Sequence, residues 1–171
     1  MFQVGDLVLY GTTGVCRVTE IAQKDLTGKG NAQLYYHLSP LYQSCMISAP
    51  VNSEKIFIRP IISREEAEVL IDQMPSLRAK EYATGATREL TERYEAAINT
   101  HDCRTLVQLI SSISVKKQAL EQQKRKFSAL DERYMRRAED LLHGELAAAL
   151  GIEKKEVPDY IERRVNAAKE A

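Results

Sequence analysis

The chain has 171 residues, of which 44% are hydrophobic and 28% are charged, as in an ordinary soluble protein that forms one domain or two small ones. Its 24 basic residues balance its 24 acidic residues, so the formal net charge is zero. This balance excludes a general attraction to anionic partners, which must instead bind to a local basic patch.

The sequence contains no segment that resembles a targeting signal or a membrane span. Its first residues lack a basic stretch followed by an apolar core, and no apolar run approaches the roughly 20 residues that a span requires. The three cysteines, Cys16, Cys45 and Cys103, are odd in number and far apart, which argues against a disulfide framework. We therefore expect a cytoplasmic protein with reduced thiols and no membrane partner.

Residues 1–62 show the short runs and turn signals of a β-domain. Two runs of β-forming residues flank the corner Gly11-Thr12-Thr13-Gly14, a pattern that predicts a hairpin. Candidate strands cover residues 6–10, 15–23, 33–39, 45–51 and 56–58. Five short strands at this spacing predict a small, closed or nearly closed β-barrel.

The second strand of the hairpin is expected to alternate between two faces. One face should carry Cys16, Val18 and Glu20. The other should carry Val15, Arg17, Thr19 and Ile21.

From Ser63 onward the hydrophobic period changes from two to 3.6 residues, which predicts amphipathic helices. Ser63 with Glu66 has the form of a capping box, and this first helix should end before Pro75. Residues 75–85 then form a connection. Further helices are predicted with Thr87, Asp102 and Ser128 as N-caps.

The last predicted helices are bounded by Gly151, a candidate C-terminal cap, and by Pro158, after which one more short helix is expected. Amphipathic helices with short connections make a compact bundle. The sequence therefore predicts an α+β protein with two domains, a β-barrel at residues 1–62 and a helical domain at residues 63–171.

The sequence carries no recognisable catalytic motif. It has no Gly-x-Ser-x-Gly nucleophile elbow and no Walker A loop. His101 and Cys103 form a lone His-x-Cys pair, far short of the ligand set of a zinc site. His37 and His143 have no evident partners. We therefore predict that the protein is not an enzyme and has no catalytic residue, metal or cofactor.

Positive charge is concentrated in one helix–loop–helix region of this neutral chain. Such a concentration is an electrostatic footprint that suits phosphate groups. A solvated helix face is the alternative interpretation, and Glu92 and Glu95 can neutralise part of the charge. The basic residues of this region are Lys116, Lys117, Lys124, Arg125, Lys126, Arg133, Arg136 and Arg137.

The pattern Phe2-x-Val4-Gly5-Asp6-x-Val8-x-Tyr10, followed by Gly14-x-x-x-Val18-x-x-Ile21, resembles the start of the CarD/CdnL family of bacterial RNA-polymerase-binding regulators. It is also similar to the polymerase-interaction domain of the transcription-repair coupling factor. The resemblance continues in Tyr35, in Ala49-Pro50-Val51, and in the segment that runs from Ser128 to Ala147.

The resemblance implies a Tudor-like barrel that binds the β subunit of RNA polymerase, often by pairing at a sheet edge. The natural donor is the strand predicted at residues 45–51. The basic family position between the second and third strands falls on Lys24, whereas a second family arginine falls on Ser48, which departs from the pattern. The implied polymerase-binding residues are Lys24, Cys45, Met46, Ile47, Ser48, Ala49 and Pro50.

The resemblance also implies that the helical domain contacts promoter DNA at the upstream edge of the melted bubble. Family members insert a tryptophan into the minor groove, but this chain has no tryptophan, and the position falls on Leu90. Leu90 equally fits an apolar stripe with Tyr94. An adjoining family arginine falls on Glu92, while Arg93 keeps its charge and joins Leu90 and the basic residues as a candidate DNA contact.

Together these expectations describe a monomeric transcription regulator that binds RNA polymerase and promoter DNA, with little sequence preference, and modulates the stability of the open complex. An alternative is an adaptor that binds polymerase with little direct DNA contact, as the missing tryptophan and Glu92 suggest. A third interpretation, an SH3-like reader of RNA or ribosomal components, rests on the barrel alone.

Overall fold

The computed structural model describes residues 1–77 and 85–170. The chain divides into two compact units, a strand unit at Met1–Ile62 and a helical unit at Ser63–Ala171. The predicted connection at residues 75–85 falls mostly outside the described residues. No helix in the described part of the chain has the length and apolar character needed to cross a membrane.

The strand unit is one antiparallel sheet of five strands, which confirms the strand half of the predicted α+β class. The strands are β1 Leu7–Tyr10, β2 Gly14–Lys24, β3 Gln33–Pro40, β4 Ile47–Pro50 and β5 Ile58–Pro60. Their order in the sheet is β4-β3-β2-β1-β5, so β4 and β5 form its two edges. Closure of this sheet into a Tudor-like barrel stays a prediction.

One face of the sheet carries the hydrophobic core of the strand unit. Successive residues of a strand point to opposite faces, so every second side chain lies in this core. Each large aliphatic side chain that is fully buried contributes about 1.5–3 kcal/mol through the hydrophobic effect. The buried cluster consists of Val8, Cys16, Val18, Tyr36, Leu38 and Ala49.

The predicted alternation along β2 fails after Val18 because the strand contains a β-bulge. The pairing register with β3 shifts between Val18 and Glu20, which leaves Thr19 as the extra residue. An extra residue moves every later side chain to the other face of a sheet. Ile21 therefore packs against the core, whereas Glu20 is exposed with its carboxylate 3.4 Å from the imidazole of His37.

The edge strand β4 is shorter than the predicted strand at residues 45–51. In its register with β3, Leu38 lies opposite Ile47, so Pro40 would lie opposite Cys45 if the pairing continued. Proline has no backbone N–H to donate to a ladder. Pairing therefore ends at Ile47, and Cys45 and Met46 precede the strand.

The described residues of the helical unit form five α-helices, which confirms the predicted helical half of the fold class. They are α1 Arg64–Gln73, α2 Thr87–Ile98, α3 Cys103–Gln122, α4 Ala129–Leu150 and α5 Val157–Glu170. Short 3-10 turns lie at Met74–Ser76 and Lys154–Glu156.

Three of the four predicted N-caps are confirmed. Ser63 and Glu66 form a reciprocal capping box, and the side chains of Asp102 and Ser128 accept hydrogen bonds from the first turns of α3 and α4. The prediction for Thr87 is wrong, since this residue is already the first of α2 and its N-cap is an alanine without a side-chain acceptor.

Helices α3 and α4 end with a residue in the left-handed conformation. Gly151 holds this position after α4 with a φ of 68°, as predicted. After α3 the same position is held by Lys124, with a φ of 55°. The N–H of Arg125 donates to the carbonyl of Leu120 at 2.8 Å and the N–H of Lys124 to that of Glu121 at 3.0 Å, the two bonds of a Schellman motif.

Substituting Lys124→Gly is expected to raise the free energy of unfolding by about 1 kcal/mol, because the left-handed conformation costs a non-glycine residue roughly 1–2 kcal/mol. Urea denaturation measures the change. Gly151→Ala is the matched control and should lose a similar amount, since a Cβ at Gly151 meets no atom within 4 Å and only the backbone is strained. A lower denaturation midpoint for Lys124→Gly would contradict this account.

Candidate functional site

The hydrogen-bond pattern of the sheet decides which groups of β4 face its open edge. The N–H of Leu41 donates to the carbonyl of Val15 at 3.0 Å, and the N–H of Val51 donates to that of Leu34 at 2.9 Å. In antiparallel pairs, hydrogen-bonded and non-hydrogen-bonded residues alternate. Odd-numbered residues of β3 therefore bond to β2, and even-numbered residues bond to β4.

This alternation divides the residues of β4 into two classes. Ile47 and Ala49 lie opposite even-numbered residues of β3, so their backbone bonds are used within the sheet, and their side chains pack in the core. Ser48 and Pro50 have backbone groups that point to the open edge. This placement disagrees with a direct partner contact by Ile47 or Ala49, which the sequence analysis predicts.

The remaining residues predicted to bind polymerase lie outside β4. Cys45 and Met46 are exposed and precede the strand. Lys24 is half-buried at the end of β2, where it pairs with Gln33. The structure thus brings Met46, Ser48 and Pro50 together along one edge and leaves Lys24 two strands away.

In the helical unit, one buried and one partly buried polar contact run in opposite directions between α2 and α4. The hydroxyl of Tyr94 on α2 donates to the carboxylate of Asp131 on α4 at 2.6 Å. The hydroxyl of Tyr134 on α4 donates to the carboxylate of Glu95 on α2 at 2.7 Å. The two tyrosine rings pack together with centroids 5.2 Å apart. We call these two contacts the tyrosine–carboxylate pairs.

Each tyrosine–carboxylate pair also binds a cation that the sequence analysis assigns to DNA. Lys116 on α3 is 2.8 Å from the carboxylate of Asp131, and Arg137 is 2.7 Å from that of Glu95. Hydrogen bonds from Tyr134 and then from Arg137 hold the pKa of Glu95 below its usual value. Lys116 and Arg137 therefore hold helices of the bundle together, and a DNA contact by either of them stays a prediction.

Asp131 is fully buried, and its ionised form is retained because several groups donate to it. Burial alone would raise the pKa of its carboxyl group, but hydrogen bonds from Lys116, Tyr94 and Ser128 together outweigh burial and lower it. Ser128 also caps the helix that carries Asp131. A single carboxylate therefore joins α2, α3 and the start of α4.

Leu90, the candidate DNA wedge, is only 6% exposed and lies in the apolar stripe of α2 with Tyr94 and Ala97. A side chain in this position cannot enter a DNA groove while the core of the bundle is intact. The burial of Leu90 favours the core interpretation, and the wedge role stays a prediction. Arg93 is half-buried and already has an interaction partner.

The other predicted DNA contacts lie at the surface. Lys124, Arg125 and Lys126 are exposed in the connection between α3 and α4, whereas Arg136 pairs with Glu132 one helical turn away at 3.1 Å. Lys117 and Arg133 are also exposed; the first lies 5.5 Å from the ring of Phe127 and the second 5.2 Å from that of Tyr134. A shallow groove on α4 is lined by Ala129, Glu132, Arg133, Arg136, Arg137 and Asp140.

Comparison with known families identifies the strand unit. Residues 2–62 match the family model of the CarD-like/TRCF RID domain. The strand unit is a CarD-like RNA-polymerase-interaction domain. A comparison of the chain with curated proteins finds no match. Because the family match ends where the strand unit ends, the role of the helical unit rests on its own geometry.

The tyrosine–carboxylate pairs of the helical unit were not predicted from the sequence. Ser128 and Asp131 were recognisable as a helix start, and Tyr94 as part of an apolar stripe, but neither pattern shows which polar atoms meet across helices. The available signal was a tyrosine within an apolar stripe, since a buried tyrosine hydroxyl requires a partner. In the described residues, no group of three His, Cys, Asp or Glu side chains is arranged to hold a metal ion.

Asp131→Asn is expected to lower the free energy of unfolding at pH 7 by about 3 kcal/mol, because it breaks a buried ion pair that joins three helices. The folded-state pKa of Asp131 lies below its unfolded value, so its contribution is present above about pH 4 and is lost as pH falls through the folded pKa. Urea denaturation at several pH values should show the difference between wild type and variant shrinking in acid.

Asp140→Asn on the same helix is the matched control for Asp131→Asn. Asp140 is exposed in its pair with Lys154, so its substitution should change stability by less than about 0.5 kcal/mol. Equal effects of the two substitutions at pH 7 would contradict the importance of the buried carboxylate.

Proposed function

We propose that the protein is a bacterial transcription regulator of the CarD/CdnL type that acts by binding, without catalysis. Its CarD-like domain binds RNA polymerase, and the β subunit is the proposed contact because the resemblance implies that subunit. The observation that carries this proposal is the family match over the whole strand unit, together with an edge strand that leaves backbone groups of Ser48 and Pro50 open.

The helical unit is proposed to touch promoter DNA through the exposed cations around the connection between α3 and α4. Lys124, Arg125 and Lys126 are consecutive and exposed, and Lys117 and Arg133 are exposed on the two flanking helices. Such contacts bind phosphates and position a protein without reading bases. Tighter binding to melted than to closed promoter DNA would then stabilise the open complex.

A second candidate function is an adaptor that binds polymerase and hardly touches DNA. Three observations favour it: Leu90 is buried, Lys116 and Arg137 are held by carboxylates of the bundle, and the formal net charge is zero. The two candidates differ in how strongly promoter binding depends on salt, because each phosphate contact releases counterions.

The triple substitution Arg125→Gln, Lys126→Gln and Arg133→Gln separates the two functions. A plot of log affinity against log salt concentration for the polymerase–promoter complex has a negative slope. If these side chains contact phosphates, the magnitude of this slope should decrease by about 3, roughly one for each lost contact. Fluorescence anisotropy of labelled promoter DNA with polymerase and the full chain measures this slope.

Arg163→Gln is the matched control, because Arg163 is exposed on α5 among the acidic residues Glu156, Asp159 and Glu162. It should leave the salt slope unchanged. An unchanged slope in the triple variant, with polymerase binding intact, favours the adaptor. Failure of the wild-type chain to be recovered with polymerase at low salt would refute both functions.

A further inference from the structure

The ion pairs that hold Lys116 and Arg137 differ in their exposure to water. The side chain of Asp131 is fully buried in its pair with Lys116, whereas 40% of the Glu95 side chain and 37% of the Arg137 side chain are exposed. An exposed ion pair contributes little net free energy, because water solvates the separated charges well. Arg137 can therefore exchange Glu95 for another anion at small cost, whereas Lys116 cannot leave Asp131 without leaving a buried charge.

Arg137 belongs to a row of three arginines on α4. Arg133 and Arg137 lie one helical turn apart with Arg136 beside them, and all three line the shallow groove on α4, which we call the arginine groove. A guanidinium presents a planar fork of N–H donors that matches the oxygens of a phosphate group. Arg136 is paired with Glu132 at 3.1 Å, and Arg137 with Glu95 at 2.7 Å. Two carboxylates therefore neutralise much of the charge in the groove.

Glu95 reaches the arginine groove from the neighbouring helix α2. Its Oε1 atom accepts hydrogen bonds from the hydroxyl of Tyr134 and from Nη1 of Arg137, each at 2.7 Å. The guanidinium carbons of Arg133 and Arg137 both lie 5.2 Å from the centre of the ring that carries this hydroxyl. Hydrogen bonds from Tyr134 and Arg137, together with the charge of Arg133, lower the pKa of Glu95. Glu95 is therefore ionised at neutral pH and repels a phosphate that approaches the groove.

The contact with Tyr134 allows Glu95 to release Arg137 and still keep a partner. The tyrosine hydroxyl can continue to donate to the carboxylate, and water can hydrate the part of the carboxylate that is exposed. The exchange leaves no buried charge unpaired, so its cost is the loss of one exposed ion pair.

We propose that Glu95 inhibits the binding of promoter DNA, because it neutralises the arginine groove and a phosphate of the DNA backbone must displace it from Arg137 to occupy the groove. The proposal rests on the proposed function, since it takes promoter DNA as the partner. It adds to the candidate DNA contacts a residue that acts in the opposite direction. The competition between this carboxylate and phosphate then sets the strength of the contact.

Two titrations of the fluorescently labelled full chain isolate the DNA contact. One titration uses RNA polymerase alone, and the other uses the complex of polymerase with promoter DNA, each followed by fluorescence anisotropy. The polymerase contact is common to both, so the ratio of the second association constant to the first, which we call the DNA ratio, reports the contact with DNA. Repeating both titrations over a series of salt concentrations gives the salt dependence of the DNA ratio.

Glu95→Gln removes the negative charge and keeps an oxygen that can accept from Tyr134. It should raise the DNA ratio at low salt by about threefold or more, because Arg137 becomes available to a phosphate. The DNA ratio should also fall more steeply with salt, with a log–log slope larger in magnitude by about one for the added phosphate contact. Binding to polymerase alone should not change.

Three further variants show whether the arginine groove is responsible. Glu162→Gln makes the same change in net charge on α5, where the residue does not line the groove, and should leave the DNA ratio within about twofold of wild type. Glu132→Gln frees Arg136 from an exposed pair and should give a smaller gain in the same direction. Adding Arg137→Gln to Glu95→Gln should remove most of the gain.

The folding of each variant is checked by circular dichroism and by its urea midpoint. If Glu95→Gln does not fold, the gain or its absence in Glu132→Gln decides, since both side chains of that pair are exposed.

The outcomes distinguish this proposal from the function on which it rests. A gain in Glu95→Gln that is absent in Glu162→Gln and is lost on removal of Arg137 supports it. An unchanged DNA ratio in folded Glu95→Gln, with a wild-type ratio above one that falls with salt, overturns the inhibition while the proposed function stands. An equal gain in Glu162→Gln attributes the effect to net charge and also overturns it. A DNA ratio of one in every variant overturns the inhibition together with the proposed DNA contact. No binding of the wild-type chain to polymerase overturns the proposed function and the inhibition together.

Discussion

The burial of the Asp131 carboxylate is the constraint on which the helical unit depends. Removing a carboxylate from water costs several kcal/mol unless hydrogen bonds and an opposite charge replace the lost hydration. The replacements come from different helices: Tyr94 from α2, Lys116 from α3 and Ser128 from the start of α4 itself. The folded arrangement brings all of them to the carboxylate at once, so a displacement of either α2 or α3 would remove one of the groups that compensate the buried charge.

The same constraint limits how the basic residues of this region can be used. If Lys116 turned to an external phosphate, the buried carboxylate of Asp131 would lose its opposite charge, which is costly. Arg137 is bound to Glu95 in the matching pair. The cations that remain for a partner are exposed around the connection between α3 and α4. A charge run in a sequence therefore contains residues with two different physical tasks, and only their partners in three dimensions separate them.

The features that sequence analysis recovered are those decided by neighbouring residues. The caps at Ser63, Asp102 and Ser128 and the stop at Gly151 depend on one helical turn of sequence, and they lie where local chemistry predicts. The bulge at Thr19 was not predictable in this way, because it exists only relative to the register of β3. The sequence pattern also could not decide between a core residue and a DNA wedge at Leu90, because both have the same spacing on a helix.

The prolines of the strand unit show why register carries functional information that composition does not. Pro40 ends the pairing of β3 with β4, Pro50 limits the open edge of β4, and Pro60 limits that of β5. An edge with many free donors invites pairing with any extended chain, including another copy of the protein. Pro50 and Pro60 lie at positions whose backbone N–H would point to an open edge, so Ser48 on β4 and Ile58 on β5 are the outward donors within the described strands. This scarcity of donors reduces that hazard.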